Sequence, residues 1–167
     1  AQFSLNLEQE MTSHIAQELN LEIDREIIRD LYTQAGTTAT WDYNSALGDT
    51  QKEKFESLYT KLVQTSALIH KKTLRAGANW IVCSPEVAAI FQTATAGYGP
   101  GDSGETFTSS LGVQYVGQLN RRFAMYVDPQ FPTNKILMGY KGDNYLDSGY
   151  FFCPYVPLMQ TPLVTDP

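Results

Sequence analysis

Residues 77–91, GANWIVCSPEVAAIF, predict a buried strand that passes directly into a helix. The run Trp80–Cys83 is short, apolar and bounded by turn-forming residues, which is typical of a strand inside a sheet. Ser84 then stands at the expected N-cap, and Pro85 occupies the first helical position, where its missing N–H is not needed. The helix is predicted to continue through about Ala94. With helices before this unit and strands after it, the chain is assigned to the α+β class.

The segment 7–32 predicts one long helix, about 39 Å in length at 1.5 Å per residue. Its main apolar row repeats every four residues and therefore winds around the helix instead of keeping to one face. The row consists of Met11, Ile15, Leu19, Ile23, Ile27 and Leu31. Leu21 and Ile28 form a second stripe, and a helix that is apolar on several sides needs several packing partners. We therefore expect some of Leu7, Leu21 and Ile28 to be exposed, or covered by another copy of the chain.

A second helix is predicted after a connecting loop at 33–48. Thr50 and Glu53 have the spacing of a capping box, in which each side chain satisfies an amide at the start of the helix. The apolar residues that follow lie within one arc, so we expect an amphipathic helix of about 25 residues that ends at Gly77. The opposite face carries a lysine cluster formed by Lys54, Lys61 and Lys72.

The hydrophobic period changes to two after a glycine-rich segment. Residues 97–105, GYGPGDSGE, predict a mobile loop because they combine four glycines with a proline. Asn120 marks a predicted turn between two strands, and residues 154–167 predict an extended segment. The strands are expected at 112–118, 122–128, 135–140 and 149–153.

Composition sets the broad class of the protein. The chain has 167 residues, of which 43% are hydrophobic and 18% charged, which favours one domain or a closely joined pair with a real core. No apolar run approaches the roughly 20 residues that span a bilayer. Two cysteines, Cys83 and Cys153, are too few for a disulfide framework and fit a reducing compartment.

The charge pattern argues against a protein that grips a nucleic-acid backbone. The net charge is −6, whereas phosphate binding requires clustered lysine and arginine. Residues 1–48 carry a net charge of −6, residues 49–76 carry +3, and residues 77–167 carry −3. The acidic first third and the basic second segment are therefore expected to attract each other, within one copy or between copies.

A search for catalytic residues leaves one weak candidate. Cys83 lies between a strand and a helix N-terminus, where a thiolate is favoured, although a buried core thiol is the competing interpretation. A Cys83-dependent hydrolase would require His70 or His14 as its base, and neither histidine has metal-ligand spacing. The sequence therefore predicts no catalytic, cofactor-binding or metal-ligating residues. A monomeric binding module with a pocket lined by aromatic strands is a further alternative.

Four segments together resemble the major capsid proteins of T-even-like tailed bacteriophages. They are LNLEIDREIIR (19–29), GANWIVCSPEVAAIF (77–91), VGQLNRRFAMYVDP (116–129) and YKGDNYLDSGYFFCPYVPL (140–158). The resemblance covers most of the chain and is weak at 33–48 and 92–110. Members of that family also carry an N-terminal arm, an extended loop and C-terminal peripheral strands that these residues do not include. The chain thus resembles the central part of a longer capsid protein.

The resemblance implies the tailed-phage capsid fold, which is shared with encapsulin shells and the capsid floor of herpesviruses. Residues 1–45 would then form the spine helix and connection of a peripheral domain. Residues 46–153 would form an axial domain of helices around a small mixed or antiparallel sheet. Residues 154–167 would return toward the peripheral domain.

The resemblance also implies a function. The protein would be a structural subunit of an icosahedral or prolate phage head, without enzymatic activity or cofactor, and would form pentamers and hexamers that enclose packaged double-stranded DNA. Its partners would be other copies of itself, with vertex, portal or decoration proteins as further candidates, and neither a membrane nor a specific nucleic-acid sequence. It would be located in the virion after assembly in the cytoplasm of the bacterial host. A capsid vertex protein and an encapsulin-like shell subunit are alternatives within the same fold, and the Cys83 hydrolase is the alternative from a different class.

Overall fold

The computed structural model describes residues 2–94 and 112–155. It has the α+β composition expected from the sequence. The elements are α1 (Gln2–Gln34), α2 (Gln51–Thr73), β1 (Trp80–Cys83), α3 (Pro85–Ala94), β2 (Gln114–Leu119), β3 (Phe123–Val127), β4 (Ile136–Gly139) and a short 3-10 turn (Tyr145–Asp147). The loop predicted at 97–105 and most of the extended segment predicted at 154–167 lie outside the described residues.

The four strands form one mixed sheet in the order β2-β3-β1-β4. β1 is central, and it runs parallel to β3 and antiparallel to β4. Trp80 lies opposite Ala124 on one side and Gly139 on the other. β2 completes the sheet as the antiparallel neighbour of β3, with an irregularity between Tyr115 and Gly117. The small mixed sheet predicted for the axial region is therefore present.

Helices cover both faces of the sheet. Because side chains alternate along β1, its successive residues pack against different helices. Ile81 and Cys83 point to one face and are fully buried, and Val82 points to the other. On the first face they pack with residues of α2 and α3: Leu58, Leu62, Val87, Ala88 and Phe91. On the second face Val82 clusters with residues that include Ile28 and Leu31 of α1. The sheet thus separates α2 and α3 from the C-terminal half of α1.

The start of α2 confirms the predicted capping box. The Glu53 amide donates to Thr50 Oγ1 at 3.3 Å, and the Thr50 amide donates to Glu53 Oε2 at 3.0 Å. The Asp49 amide donates to the same carboxylate at 2.8 Å. These hydrogen bonds lower the pKa of Glu53 from its usual value, with the Thr50 amide as the largest cause.

The predicted end of α2 at Gly77 is wrong. The helix ends at Thr73, and Leu74 caps it in the left-handed conformation at φ 56°, with its N–H donating to the His70 carbonyl. Gly77 instead lets the chain pass close to α2, because a Cβ there would lie 2.6 Å from Ser66 Oγ on that helix. The chain can approach the helix this closely only with glycine at this position.

A tight turn at Asn120 and Arg121 joins β2 to β3, as the sequence predicts for this region. Both residues have positive φ, 50° and 54°, and the Arg122 amide donates to the Leu119 carbonyl at 3.1 Å. This pattern is that of a type I′ turn. Asn120 Nδ2 also donates to Tyr59 OH at 2.8 Å, which fixes the turn against α2.

The strand predicted at 149–153 is wrong. These residues form no strand, and Phe151 and Phe152 lie exposed while Tyr150 is half-buried. The segment is instead held by a side chain, because Tyr150 OH donates to Asp30 Oδ2 at 3.3 Å. The predicted strands at 112–118, 122–128 and 135–140 are confirmed with shifts of one or two residues at their ends, and α1 is longer than the predicted 7–32.

We expect Gly77→Ala to lower the free energy of unfolding by about 1–3 kcal/mol, since the new methyl group overlaps Ser66. The cost should be smaller in a Ser66→Ala background, where the overlapping hydroxyl is gone. Gly36→Ala is the matched control, because a Cβ at Gly36 meets no atom within 4 Å. Urea denaturation of the four variants measures these differences, and equal costs at Gly77 in both backgrounds would contradict the explanation.

We expect Arg121→Gly to raise the free energy of unfolding by about 0.5–1 kcal/mol. Glycine relieves the strain of a left-handed residue but adds freedom to the unfolded chain, so the gain is partial. Arg121→Ala removes the same charge and keeps the strain, and should therefore give no gain. Thermal unfolding at low protein concentration tests both variants, and an equal gain for alanine would assign the effect to charge.

Candidate assembly surfaces

Cys83, the one candidate nucleophile, lies in the core. The thiol is fully buried, and its Sγ donates to the Tyr126 carbonyl at 3.9 Å. Burial raises its pKa to about 12, so the group remains a thiol at neutral pH. His14 and His70 lie exposed on α1 and α2. This is the environment of a packed core thiol and not that of the thiolate that a Cys83 hydrolase requires.

The described residues also contain no group of three or more His, Cys, Asp or Glu side chains that could hold a metal ion. A groove of about 360 Å³ runs between α1 and the segment after β3, and its walls include Arg29, Tyr32 and Pro132. The buried carboxylate in this groove, Asp128, accepts the Gln130 amide at 2.9 Å and so stabilises a turn. None of the helices in the described ranges is long and apolar enough to cross a membrane.

The first half of α1 carries an uncovered apolar row. Leu7, Met11, Ile15 and Leu19 are 53%, 57%, 54% and 42% exposed, respectively. The expectation that some of Leu7, Leu21 and Ile28 are exposed is confirmed for Leu7, while Leu21 and Ile28 are half-buried. Contiguous exposed apolar surface of this kind marks an interaction site.

By contrast, the second half of α1 packs against the sheet. Ile28 and Leu31 pack against the second face of the sheet. The Tyr32 ring meets the Phe131 ring edge-on, with centroids 5.8 Å apart. The helix is therefore anchored at its C-terminal end and presents its other half to the outside.

A second exposed apolar surface follows the sheet at 145–155. Its most exposed members are Tyr145, Leu146, Phe151, Phe152 and Tyr155. The Tyr145 and Phe151 rings contact each other, with centroids 4.8 Å apart. An ion pair between Asp147 and Arg75 ties this segment to the end of α2. The Tyr145 and Phe151 rings thus contact each other while the aromatic groups face outward, which is typical of a surface used for association.

Residues 139–142, GYKG, are held by two features that the sequence analysis missed. Asn79 Nδ2 donates to the Lys141 carbonyl at 2.7 Å, and the Lys141 amide donates to Asn79 Oδ1 at 2.9 Å. The side chain of Asn79 thereby continues the β1–β4 pairing beyond its last strand residue. Gly139 lies beneath the Trp80 ring, with which any Cβ would overlap. We refer to the two Asn79 hydrogen bonds as the Asn79 clamp. Its only sequence signal is a polar amide immediately before the buried strand.

Two of the three clustered lysines contact the segment that connects α1 to α2. Lys72 Nζ donates to Thr37 Oγ1, and Lys54 Nζ lies 4.5 Å from the centroid of the Tyr43 ring. Trp41 Nε1 donates to Ser57 Oγ at 2.9 Å, which anchors the same segment to α2. The predicted lysine face is therefore partly occupied within the chain.

These features favour a protein that associates with partners over a Cys83-dependent hydrolase. The described residues expose apolar surface, and the candidate nucleophile Cys83 is a protonated core thiol. The whole chain, residues 1–167, matches the family described as Major capsid protein Gp23, and it belongs to that family. The resemblance inferred from the four sequence segments is thereby confirmed.

Individual relatives agree with the family assignment. The chain is 31% identical to the major capsid protein of Salmonella phage ViI over 84% of its length. It is 27% identical to that of Enterobacteria phage T4 and 26% identical to that of Vibrio phage KVP40, each over 95% of its length. Every one of these alignments covers 34% of the relative. The chain therefore spans about a third of the length of the curated relatives it matches.

We expect the two cysteines to differ sharply in reactivity toward a thiol reagent. Exposed Cys153 should react at once at pH 8, whereas Cys83 should react only when the chain unfolds. The protection should persist to about pH 10 in the folded Cys153→Ser variant, because the pKa of Cys83 is about 12. Rapid labelling of Cys83 in the folded protein near neutral pH would reopen the hydrolase alternative.

Proposed function

We propose that this chain is the central part of a structural subunit of a phage head. In this proposal the subunit forms pentamers and hexamers that enclose packaged double-stranded DNA. The observation that carries the proposal is the match of all 167 residues to the Gp23 major capsid family. The relatives named above all bear the name major capsid protein.

The proposal assigns a part of the tailed-phage capsid fold to each region. Residues 1–45 form the spine helix and connection of the peripheral domain, and residues 46–153 form the axial domain. Residues 154–167 return toward the peripheral domain. The 33-residue helix α1, docked at one end, supports the first assignment. The mixed sheet with α2 and α3 on one face supports the second.

The proposed partners are other copies of the same protein in capsomers, together with vertex, portal and decoration proteins of the head. The proposed location is the virion, after assembly in the cytoplasm of the bacterial host. A net charge of −6 suits the inner wall of a container that must release its DNA, because an acidic surface does not hold phosphate tightly.

Labelling of phage particles tests the proposal directly. Antibodies raised against the chain should decorate the whole head of the phage that encodes it, and mass spectrometry of purified particles should find the chain among the most abundant proteins. Labelling confined to the vertices would identify a vertex protein instead. Absence of the chain from purified heads would overturn the proposal.

We also expect the 167-residue chain to fold alone without building a shell. Its size supports a core, whereas closed shells depend on many modest contacts acting together. Calorimetry should show a cooperative melt, and light scattering should show a monomer or small oligomer. Closed particles tens of nanometres across in electron micrographs would contradict this expectation, and so would an unfolded chain.

A further inference from the structure

The first half of α1 combines acidic and apolar side chains on an uncovered helix. No lysine or arginine occurs between residues 2 and 24. Glu10, Glu18 and Glu22 are exposed there alongside the apolar row that includes Ile15 and Leu19. We refer to this surface, residues 7–22 of α1, as the acidic α1 face.

A basic surface lies at the end of α2 and at the β2–β3 turn. The sequence contains no acidic residue at 57–85 or at 112–127. The hydrogen bond from Asn120 to Tyr59 places the turn beside the first half of α2, so the basic residues extend along the helix to its end. The guanidinium of Arg122 approaches within 3.7 Å of the Cβ position of Gly77, which itself lies beside Ser66 in the second half of α2. We refer to this surface as the basic end; its cationic residues are Lys71, Lys72, Arg75, Arg121 and Arg122.

Most of this positive charge is not neutralised within the described part of the chain. The ion pairs found there join Arg75 to Asp147 and Arg25 to Glu22. Lys71 and Arg121 are exposed and take part in neither pair.

The basic end also carries apolar side chains. Leu68 is 43% exposed on α2, and Leu74 is 86% exposed at its cap. Its mixture of basic and apolar groups therefore matches the mixture of acidic and apolar groups on the acidic α1 face. Such complementarity directs encounter and selects partners.

Within the described residues the acidic α1 face and the basic end form no ion pair with each other. The docked half of α1 packs on the Val82 face of the sheet, whereas α2 packs on the Ile81 face. The apolar row of the acidic α1 face is uncovered in the structure. In the part of the chain that the structure describes, no basic side chain from outside α1 pairs with this face, and a second copy of the chain carries a surface of complementary charge.

We propose that the acidic α1 face of one copy binds the basic end of a second copy. This inference rests on the proposed function as a shell subunit and specifies which surfaces join neighbouring copies. Because the two surfaces differ, the contact is head-to-tail and can be repeated from copy to copy around a ring.

Charge reversal on each surface tests the contact. The acidic-face variant carries Glu10→Lys and Glu18→Lys, and the basic-end variant carries Lys71→Glu and Arg121→Glu. Sedimentation velocity of the chain should show weak, salt-sensitive association with a Kd of up to about 1 mM, which each double variant weakens at least about tenfold. The variant Lys52→Glu with Lys135→Glu makes the same charge change as the basic-end variant at exposed positions elsewhere, and should associate normally.

Mixing the two double variants gives the decisive result. The reversed α1 face of one variant complements the reversed basic end of the other, so the mixture should regain association that neither variant shows alone. Restoration also demonstrates that both variants are folded.

Three results would overturn the inference: a chain that stays monomeric up to about 1 mM, double variants that associate like the unmodified chain, and a mixture that does not recover. Each can occur while antibodies still label phage heads, so failure of this contact is distinguishable from failure of the proposed function.

Discussion

The position of β1 at the centre of the sheet is the constraint on which the remaining structure depends. Its four residues pair with a parallel strand on one side and an antiparallel strand on the other. Alternation along this short strand directs Ile81 and Cys83 toward α2 and α3, and Val82 toward α1. The same burial that builds the core raises the pKa of Cys83 to about 12 and keeps its thiol protonated at neutral pH.

The arrangement leaves a long helix with only one end supported. Ile28 and Leu31 of α1 have the sheet as their partner, whereas Leu7 through Leu19 have no comparable cover among the described residues. Isolated helical turns gain little stability without packing, so the exposed half would gain stability from a partner that covers it. The proposed contact with a second copy would supply that cover and connects the fold to membership of a capsid protein family.

Structural features set by residues close together in the chain could be predicted from the sequence. Contacts between segments far apart in the chain could not. The capping box at Thr50, the turn at Asn120 and the central strand depend on residues close together in the chain, and all were found. The helix end was misplaced because Gly77 is required by Ser66, a contact that only the folded chain brings about. The 149–153 segment has the aromatic residues typical of a strand but no neighbouring strand among the described residues, and the Asn79 clamp acts over 62 residues. Both depend on pairing that no local pattern specifies.

The most direct measurement is amide hydrogen exchange, compared between the isolated chain and assembled phage heads. If α1 depends on an external partner, its amides between residues 7 and 19 should exchange rapidly in the isolated chain and slowly in heads, while those near Ile28 stay protected in both. The end of α2 and the β2–β3 turn should gain protection with them. Equal protection of residues 7–19 in the two states would contradict the account.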